Sequence, residues 1–265
     1  MRASIIGAAL LLLTAATGCK HEVETYASET VTEYLPLATG KYITYQLDST
    51  LYTGFGRNLE VRHYQEKNVI DEQFTDNLGR PGFRVVRYLR DSAGMQPWVI
   101  SDTYFITPTE KTIEVVENNR RTIRLAMPVE PGYVWKGNSY LPDDTYAPTF
   151  NFSNDNSMHF WDFTYGETGM ETIADSALQD VLPVYLADEW ENAAEPFKVQ
   201  VDTSYGSRSF AVDKYAKGIG LVYQELILWD YQNNPKVDKS TDPWTITYDP
   251  FYTGFGVKRT LLEHN

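Results

Sequence analysis

Apolar and polar positions change rhythm twice along this chain. Ile5 to Ala16 is nearly continuous apolar sequence, with Leu10-Leu11-Leu12-Leu13 at its centre. Lys20 to Thr32 is polar and acidic with no apolar period. From Tyr34 onward, alternation with a period of two recurs, the mark of a half-buried strand. In Tyr42 to Leu51, Tyr42, Thr44 and Gln46 share one face, and Ile43, Tyr45 and Leu47 the other. Further strands are expected at Val61–Val69, Phe83–Leu89, Trp98–Ile106, Thr112–Val116 and Thr122–Ala126. Glu117-Asn118-Asn119-Arg120 joins the last two as a hairpin, because Asn tolerates positive φ. Pro128 to Asn156 predicts loops around a short strand at Tyr133–Lys136, with Met158–Tyr165 returning to strand. Lys198–Thr203, Ser209–Ala216, Gly220–Asp230 and Gly256–Leu262 complete the set.

One segment points two ways. Ile173, Ala177, Leu178, Val181 and Leu182 recur at helical spacing, and Pro183 ends any helix. A short helix or turn followed by strand is expected there. With no long amphipathic helix elsewhere, the fold class is mainly β. The expected form is a single antiparallel curved sheet or open barrel or sandwich with few short helices.

Composition agrees with sheet. The 265 residues include 19 Tyr, 12 Phe and 6 Trp, and aromatic side chains suit a pleated surface. An apolar fraction of 42% is too high for a disordered chain. Without Arg2 the chain carries 22 basic and 36 acidic residues, a net charge of −14. That balance argues against nucleic acid, whose phosphates need Lys and Arg. It also argues against adhesion to anionic lipid through basic patches.

Membrane attachment is expected from the N-terminus. Arg2 followed by an apolar run too short for a membrane span has the form of a secretory signal peptide. Ala16-Thr17-Gly18-Cys19 resembles the lipobox of bacterial lipoproteins, and Cys19 is the only cysteine. The expected organisation is a signal peptide over 1–18, a lipid-proximal tether over 19–33 and a β-rich domain over 34–265. The resemblance implies that Cys19 carries diacylglycerol and that acyl chains hold the protein on a bilayer. Lys20 after the cysteine implies sorting to the outer membrane.

Tyr34-Leu35-Pro36-Leu37 through Gly40-Lys41-Tyr42-Ile43-Thr44-Tyr45 resembles the opening of outer-membrane lipoproteins of Bacteroidota. Tyr215-Ala216-Lys217-Gly218-Ile219-Gly220-Leu221-Val222-Tyr223 and the ending through Glu263-His264-Asn265 are similar to theirs as well. The resemblance implies a small β-rich domain and supplies no catalytic residues. Tyr52-Thr53-Gly54-Phe55-Gly56 repeats as Tyr252-Thr253-Gly254-Phe255-Gly256, which predicts two similar glycine turns.

No chemistry stands out. His21, His63, His159 and His264 lack zinc spacing. There is no Gly-x-Ser-x-Gly elbow and no phosphate loop. No catalytic residue, metal or cofactor is therefore assigned. Asp188, Glu189, Glu191 and Glu195 cluster around Trp190, the residue types of a glycosidase and equally of a solvated acidic loop. Asn151, Ser153, Asp155 and Ser157, beside Asp143 and Asp144, could offer oxygens to calcium or form an ordinary turn. Asp48-Ser49-Thr50, Asp91-Ser92-Ala93 and Asp175-Ser176-Ala177 resemble an O-glycosylation motif. The expected function is a non-enzymatic envelope lipoprotein that binds an envelope protein, an apolar molecule or a glycan. Trp98, Trp135, Trp161, Trp190, Trp229 and Trp244 are its candidate contacts. The alternatives are a glycan hydrolase using Glu189 and Glu191, and a structural subunit of an envelope complex.

Overall fold

A computed structural model describes residues 29–147, 149–152 and 157–265. The signal peptide, Cys19 and most of the tether lie outside these residues, as do Ser153 and Asp155. One antiparallel sheet dominates. Its strands are β1 (Tyr42–Thr53), β2 (Asn58–Thr75), β3 (Pro81–Asp91), β4 (Val99–Pro108), β5 (Thr112–Glu117) and β6 (Arg120–Ala126). They continue with β7 (Val134–Trp135), β8 (Phe163–Tyr165), β9 (Gly169–Ile173) and β10 (Ser176–Glu191). After a side hairpin, β11 (Ala193–Glu195) and β12 (Lys198–Val199), come β13 (Gly206–Ala216) and β14 (Gly220–Gln232). A second hairpin, β15 (Pro235–Asp238) and β16 (Thr245–Tyr248), precedes β17 (Phe251–His264).

The main sheet runs β6-β5-β4-β3-β2-β1-β17-β14-β13-β10-β8-β7, with β9 on β10. It curls until its two ends nearly meet. Ile123 N–H donates to Gly137 O at 2.7 Å, and Trp135 Nε1–H donates to Ile123 O at 3.0 Å. The Tyr165 hydroxyl takes a hydrogen bond from Ala126 N–H at 2.9 Å and gives one to Ala126 O at 2.8 Å. One phenol thus does the pairing of a missing strand residue. The approach is so close that a Cβ on Gly137 would enter the Phe163 ring. Closure removes the exposed edges that a sheet this wide would carry.

Alternation divides the wall. Inward positions of β1, β2 and β17 include Tyr45, Glu66, Leu47, Arg259 and Val257. Outward, Asp48, His63 and Lys258 lie side by side, as do Gln46, Gln65 and Thr260. This part of the outer wall is therefore polar and suits water. Among the described residues no helix is long and apolar enough to cross a membrane.

One end of the barrel is stopped by a single helical turn, α1 (Val31–Tyr34). Val31 and Tyr34 are buried against the main core. Gly218 N–H donates to Glu33 O at 2.8 Å, and Lys217 binds Glu29 at 2.7 Å and Glu33 at 2.8 Å. Packing against the barrel thus begins a few residues before Tyr34.

The fold class expected from sequence is what the structure has: an antiparallel, nearly closed barrel with little helix. Particular elements differ. The helical spacing over Ile173–Leu182 belongs to a turn and the strand β10. Ladder bonds to β9 and β13 override it, and Ala174 and Asp180 absorb the irregularity at positive φ. Met158–Phe160 is a 3-10 turn, and only Lys198–Val199 of the Lys198–Thr203 segment is strand. The repeated pentapeptides are not two turns. The first is a turn, whereas the second lies in β17 and packs upon it. Tyr52 stacks on Tyr252 with ring centres 4.7 Å apart, and Tyr252 N–H donates to Gly56 O at 2.8 Å. A Cβ on Gly56, whose φ is +81°, would strike the Tyr252 backbone.

Candidate functional site

The barrel's middle layer is ionic. Glu66, 1% exposed, accepts two hydrogen bonds from Arg259, from Nε and Nη2, both at 2.9 Å. Asn68 Nδ2 donates to the same carboxylate at 2.8 Å, and Arg87 Nε lies 3.5 Å away. Arg87 Nη1 reaches Asp102 at 2.9 Å and Glu117 at 2.5 Å. Arg259 Nη1 donates to Gln224 Oε1 at 2.5 Å, and Gln224 Nε2 donates to Asp213 Oδ1 at 2.8 Å. Arg124 joins loosely, with Nη1 3.4 Å from Asp213 Oδ2.

The strand period explains the layer. Glu66, Arg87, Asp102, Glu117, Arg124, Asp213 and Arg259 occupy inward positions on seven strands at similar height. Burial alone pushes the Glu66 carboxyl up, but the charges and hydrogen bonds of Arg259, with the charge of Arg87, outweigh it. The carboxyl is held below its ordinary value. Glu117 is lowered in the same way, with Arg87 overcoming burial.

Two cavities adjoin this layer. Towards α1, a cavity of about 120 Å³ is walled by Leu35, Leu37, Ile43, Ile70, Ile106 and Leu221. On the far side, a cavity of about 230 Å³ has Tyr146, Met158, Leu186, Leu226 and Phe255 in its wall. Val115, Glu117, Arg124, Gln224 and Arg259 border both. Asn138, Leu141, Thr145, Met158 and Trp161, all buried, close over the larger cavity.

The tryptophans do not form a row. Trp135, Trp161 and Trp229 are buried, and Trp98 lies half-buried under Arg90 at 4.2 Å. Trp190 and Trp244 are exposed, on different elements. Glu189 and Glu191 sit two residues apart on one strand, both exposed, and neither borders an interior cavity. They do not face each other across a cleft, which a glycosidase pair requires.

Asp143, Asp144, Asn151, Ser157 and His159 share one shallow surface depression. His159 Nδ1 lies 3.0 Å from Asp143 Oδ1, without hydrogen-bond geometry. Among the described residues, no group of three or more His, Cys, Asp or Glu is arranged to hold a metal ion. Of the Asp-Ser motifs, Asp91-Ser92-Ala93 and Asp175-Ser176-Ala177 lie at turns, with both serines exposed. Ser49 is part of β1, and Thr50 beside it is buried.

The hairpin of β15 and β16 leaves an apolar face uncovered. Val237 pairs with Ile246 and Pro235 with Tyr248, so these four share one face, and Trp244 stands just before β16. All five are exposed. Sequence reasoning missed this hairpin and the ionic layer alike. The layer had one visible signal, a charged residue at an apolar-phase position, as at Glu66 between Tyr64 and Asn68. The sequence matches no protein-family model and no curated protein, and the fold matches no solved structure.

Proposed function

We propose that this chain is a lipid-anchored envelope protein, held at the outer membrane through Cys19, whose barrel carries a small molecule without transforming it. The observation that supports the reading is the pair of adjoining cavities inside the barrel, the smaller walled largely by apolar residues, the larger by apolar and polar residues together. Binding sites for small molecules combine these two features. The polar stretch of outer wall on β1, β2 and β17 fits a barrel that hangs in water from its lipid. Among the described residues, Glu66 and Glu117 are engaged by arginine, and Asp213 chiefly by Gln224 and Tyr215.

Two measurements test this. Radiolabelled palmitate should enter the wild type and not Cys19→Ala; label in both sinks the anchor. Native mass spectrometry of protein extracted from the envelope should show a small non-covalent mass that leaves on unfolding. Protein that carries none, and that melts at an unchanged temperature across a collection of small apolar acids, amides and sugars, sinks the carrier reading.

A second reading is docking to an envelope protein. It is favoured by the uncovered face of Pro235, Val237, Ile246 and Tyr248, with exposed Trp244 just before β16, since contiguous exposed apolar residues mark interaction surfaces. Replacing Trp244 and Ile246 by Ser should then abolish recovery of a cross-linked envelope partner while leaving the melting temperature unchanged. Recovery that is unaffected refutes it.

A further inference from the structure

The arginines of the barrel are not equally satisfied. Arg259 is gripped by both oxygens of Glu66, and Arg87 is shared by Asp102 and Glu117. Arg124 has one long contact, 3.4 Å to Asp213. Asp213 does not depend on it, because Gln224 and the Tyr215 hydroxyl also donate to that carboxylate, at 2.8 and 3.3 Å. Arg120, next but one along the inward face of β6, has no carboxylate within ion-pair distance among the described residues. Its guanidinium lies 5.1 Å from the centre of the Tyr146 ring. Both side chains border the larger cavity. Two more donors in its wall, Asn138 Nδ2 and Trp161 Nε1, are buried without a hydrogen-bond partner among the described residues.

The carboxylates of the wall are already engaged, Glu117 by Arg87, Asp213 by Gln224 and Tyr215, and Glu225 by Tyr223, so the unspent groups are donors. Buried polar groups are normally paired, so a surplus of one kind calls for a complement. A guanidinium offers a planar fork that matches a carboxylate in two hydrogen bonds. One part of the wall is apolar and aromatic, formed by Leu141, Met158, Leu186, Leu226 and Phe255, with Tyr146 and Phe255 edge to face at 4.9 Å. At about 230 Å³ the cavity exceeds the ~150 Å³ that accepts benzene and falls below the ~300 Å³ at which drug-sized ligands begin.

We infer that the larger cavity is a site for a small monocarboxylate with an apolar or aromatic body, its carboxylate held by Arg124 and Arg120 and its body against Tyr146, Leu226 and Phe255. This rests on the reading of the barrel as a carrier and names the class of its cargo. Arg124 is the principal contact because it stands where the ionic layer meets the cavity. Arg120 is the outer one.

Isothermal titration of the full chain in detergent with phenylacetate, phenylacetamide and inorganic phosphate tests the assignment. Phenylacetate should bind once per chain and more tightly than the isosteric neutral amide. Arg124→Gln should weaken phenylacetate by about tenfold or more, the worth of hydrogen bonds to a charged group, and leave the amide unchanged. Arg120→Gln should weaken it less. Equal binding of acid and amide, or acid binding untouched by Arg124→Gln, overturns the anion site while leaving a carrier of neutral molecules standing. Phosphate that displaces phenylacetate equally well overturns the apolar body. Absence of phenylacetate binding overturns the inference outright. Should circular dichroism show Arg124→Gln unfolded, Arg120→Gln decides by the same criteria.

Discussion

The barrel has two cores that differ in kind. Outside the sheet, Trp229, Ile227, Tyr231 and Val199 pack with Tyr52, Phe197 and Tyr252 beneath the side hairpin of β11 and β12. That cluster is aromatic, and its polar atoms are spent: Trp229 Nε1 donates to Pro196 O at 2.6 Å, and the Tyr231 hydroxyl to Asp202 O at 2.6 Å. Inside, where an apolar core is ordinarily sought, the middle layer is built from arginines and carboxylates around open space. An aromatic cluster gains stability from its buried area. A buried ion pair gains little net stability, since removing two charges from water costs about what their attraction returns. The outer cluster, like the apolar core that fills much of the barrel's interior, is thus suited to holding the fold, and the ionic layer keeps a polar space within it.

The sharpest way to break this contrast is to unbalance the inner layer. Glu66→Ala leaves Arg259 without its main partner and Arg87 short of one, and should cost about 3–5 kcal/mol in urea unfolding. Replacing Glu66 and Arg259 together by Met, which leaves Arg87 with Asp102 and Glu117, should instead be close to neutral. A double variant as unstable as the single one would show that the layer itself holds the fold. In the outer core, Trp229→Phe removes apolar volume and the bond to Pro196, and should cost about 1–3 kcal/mol.

Acid separates the two cores next. Glu66 and Glu117 have folded pKa values below their unfolded ones. Their contribution is complete above the unfolded value, about 4.3 for Glu, and is lost as pH falls through the lowered folded value. Wild type should therefore destabilise below about pH 4, each group contributing about 1.4 kcal/mol for every tenfold by which folding lowers its proton affinity. The double Met variant, which lacks the Glu66 carboxyl, should lose less over the same interval, and Trp229→Phe should lose as much as wild type. Equal acid sensitivity of wild type and double variant would exclude Glu66 as a source. The smallest effect belongs to the stacked pair: Tyr52→Leu should cost about 0.5–1.5 kcal/mol beyond its lost area. A double-mutant cycle with Tyr252→Leu should return that coupling, and a coupling of zero would deny the stack any specific role.

How much of the molecule is legible in its sequence depends on the range of the interaction. The hairpin at Glu117–Arg120 is legible because its cause is local: Asn118 and Asn119 take φ of +50° and +59°, as that turn demands. The strands β1, β3, β13 and β14 are legible because a wall with two different sides imposes alternation. The segment 173–182 points two ways in the sequence because five apolar residues at helical spacing also fit a turn and a bulged strand, and the partners on either side choose the latter. The repeated pentapeptides mislead for a related reason. Identical sequence folds as a turn in one copy and as strand in the other, since β14 pairs with the second copy alone.

The sequence by itself determined the class of the fold and the positions of most strands, because periodicity and turn chemistry act over a few residues. Its formal charges were equally plain, but which of them face inward was not. Arg87, Arg124, Glu66 and Asp213 look like solvated side chains until closure of the sheet, at Tyr165 and Ala126, turns their faces towards one another. Only the tertiary structure decided that they meet, because partners such as Glu66 and Arg259 are separated by most of the chain. It also left two guanidinium groups facing a cavity, for the same reason: how fully a charge is paired depends on what the fold places opposite it.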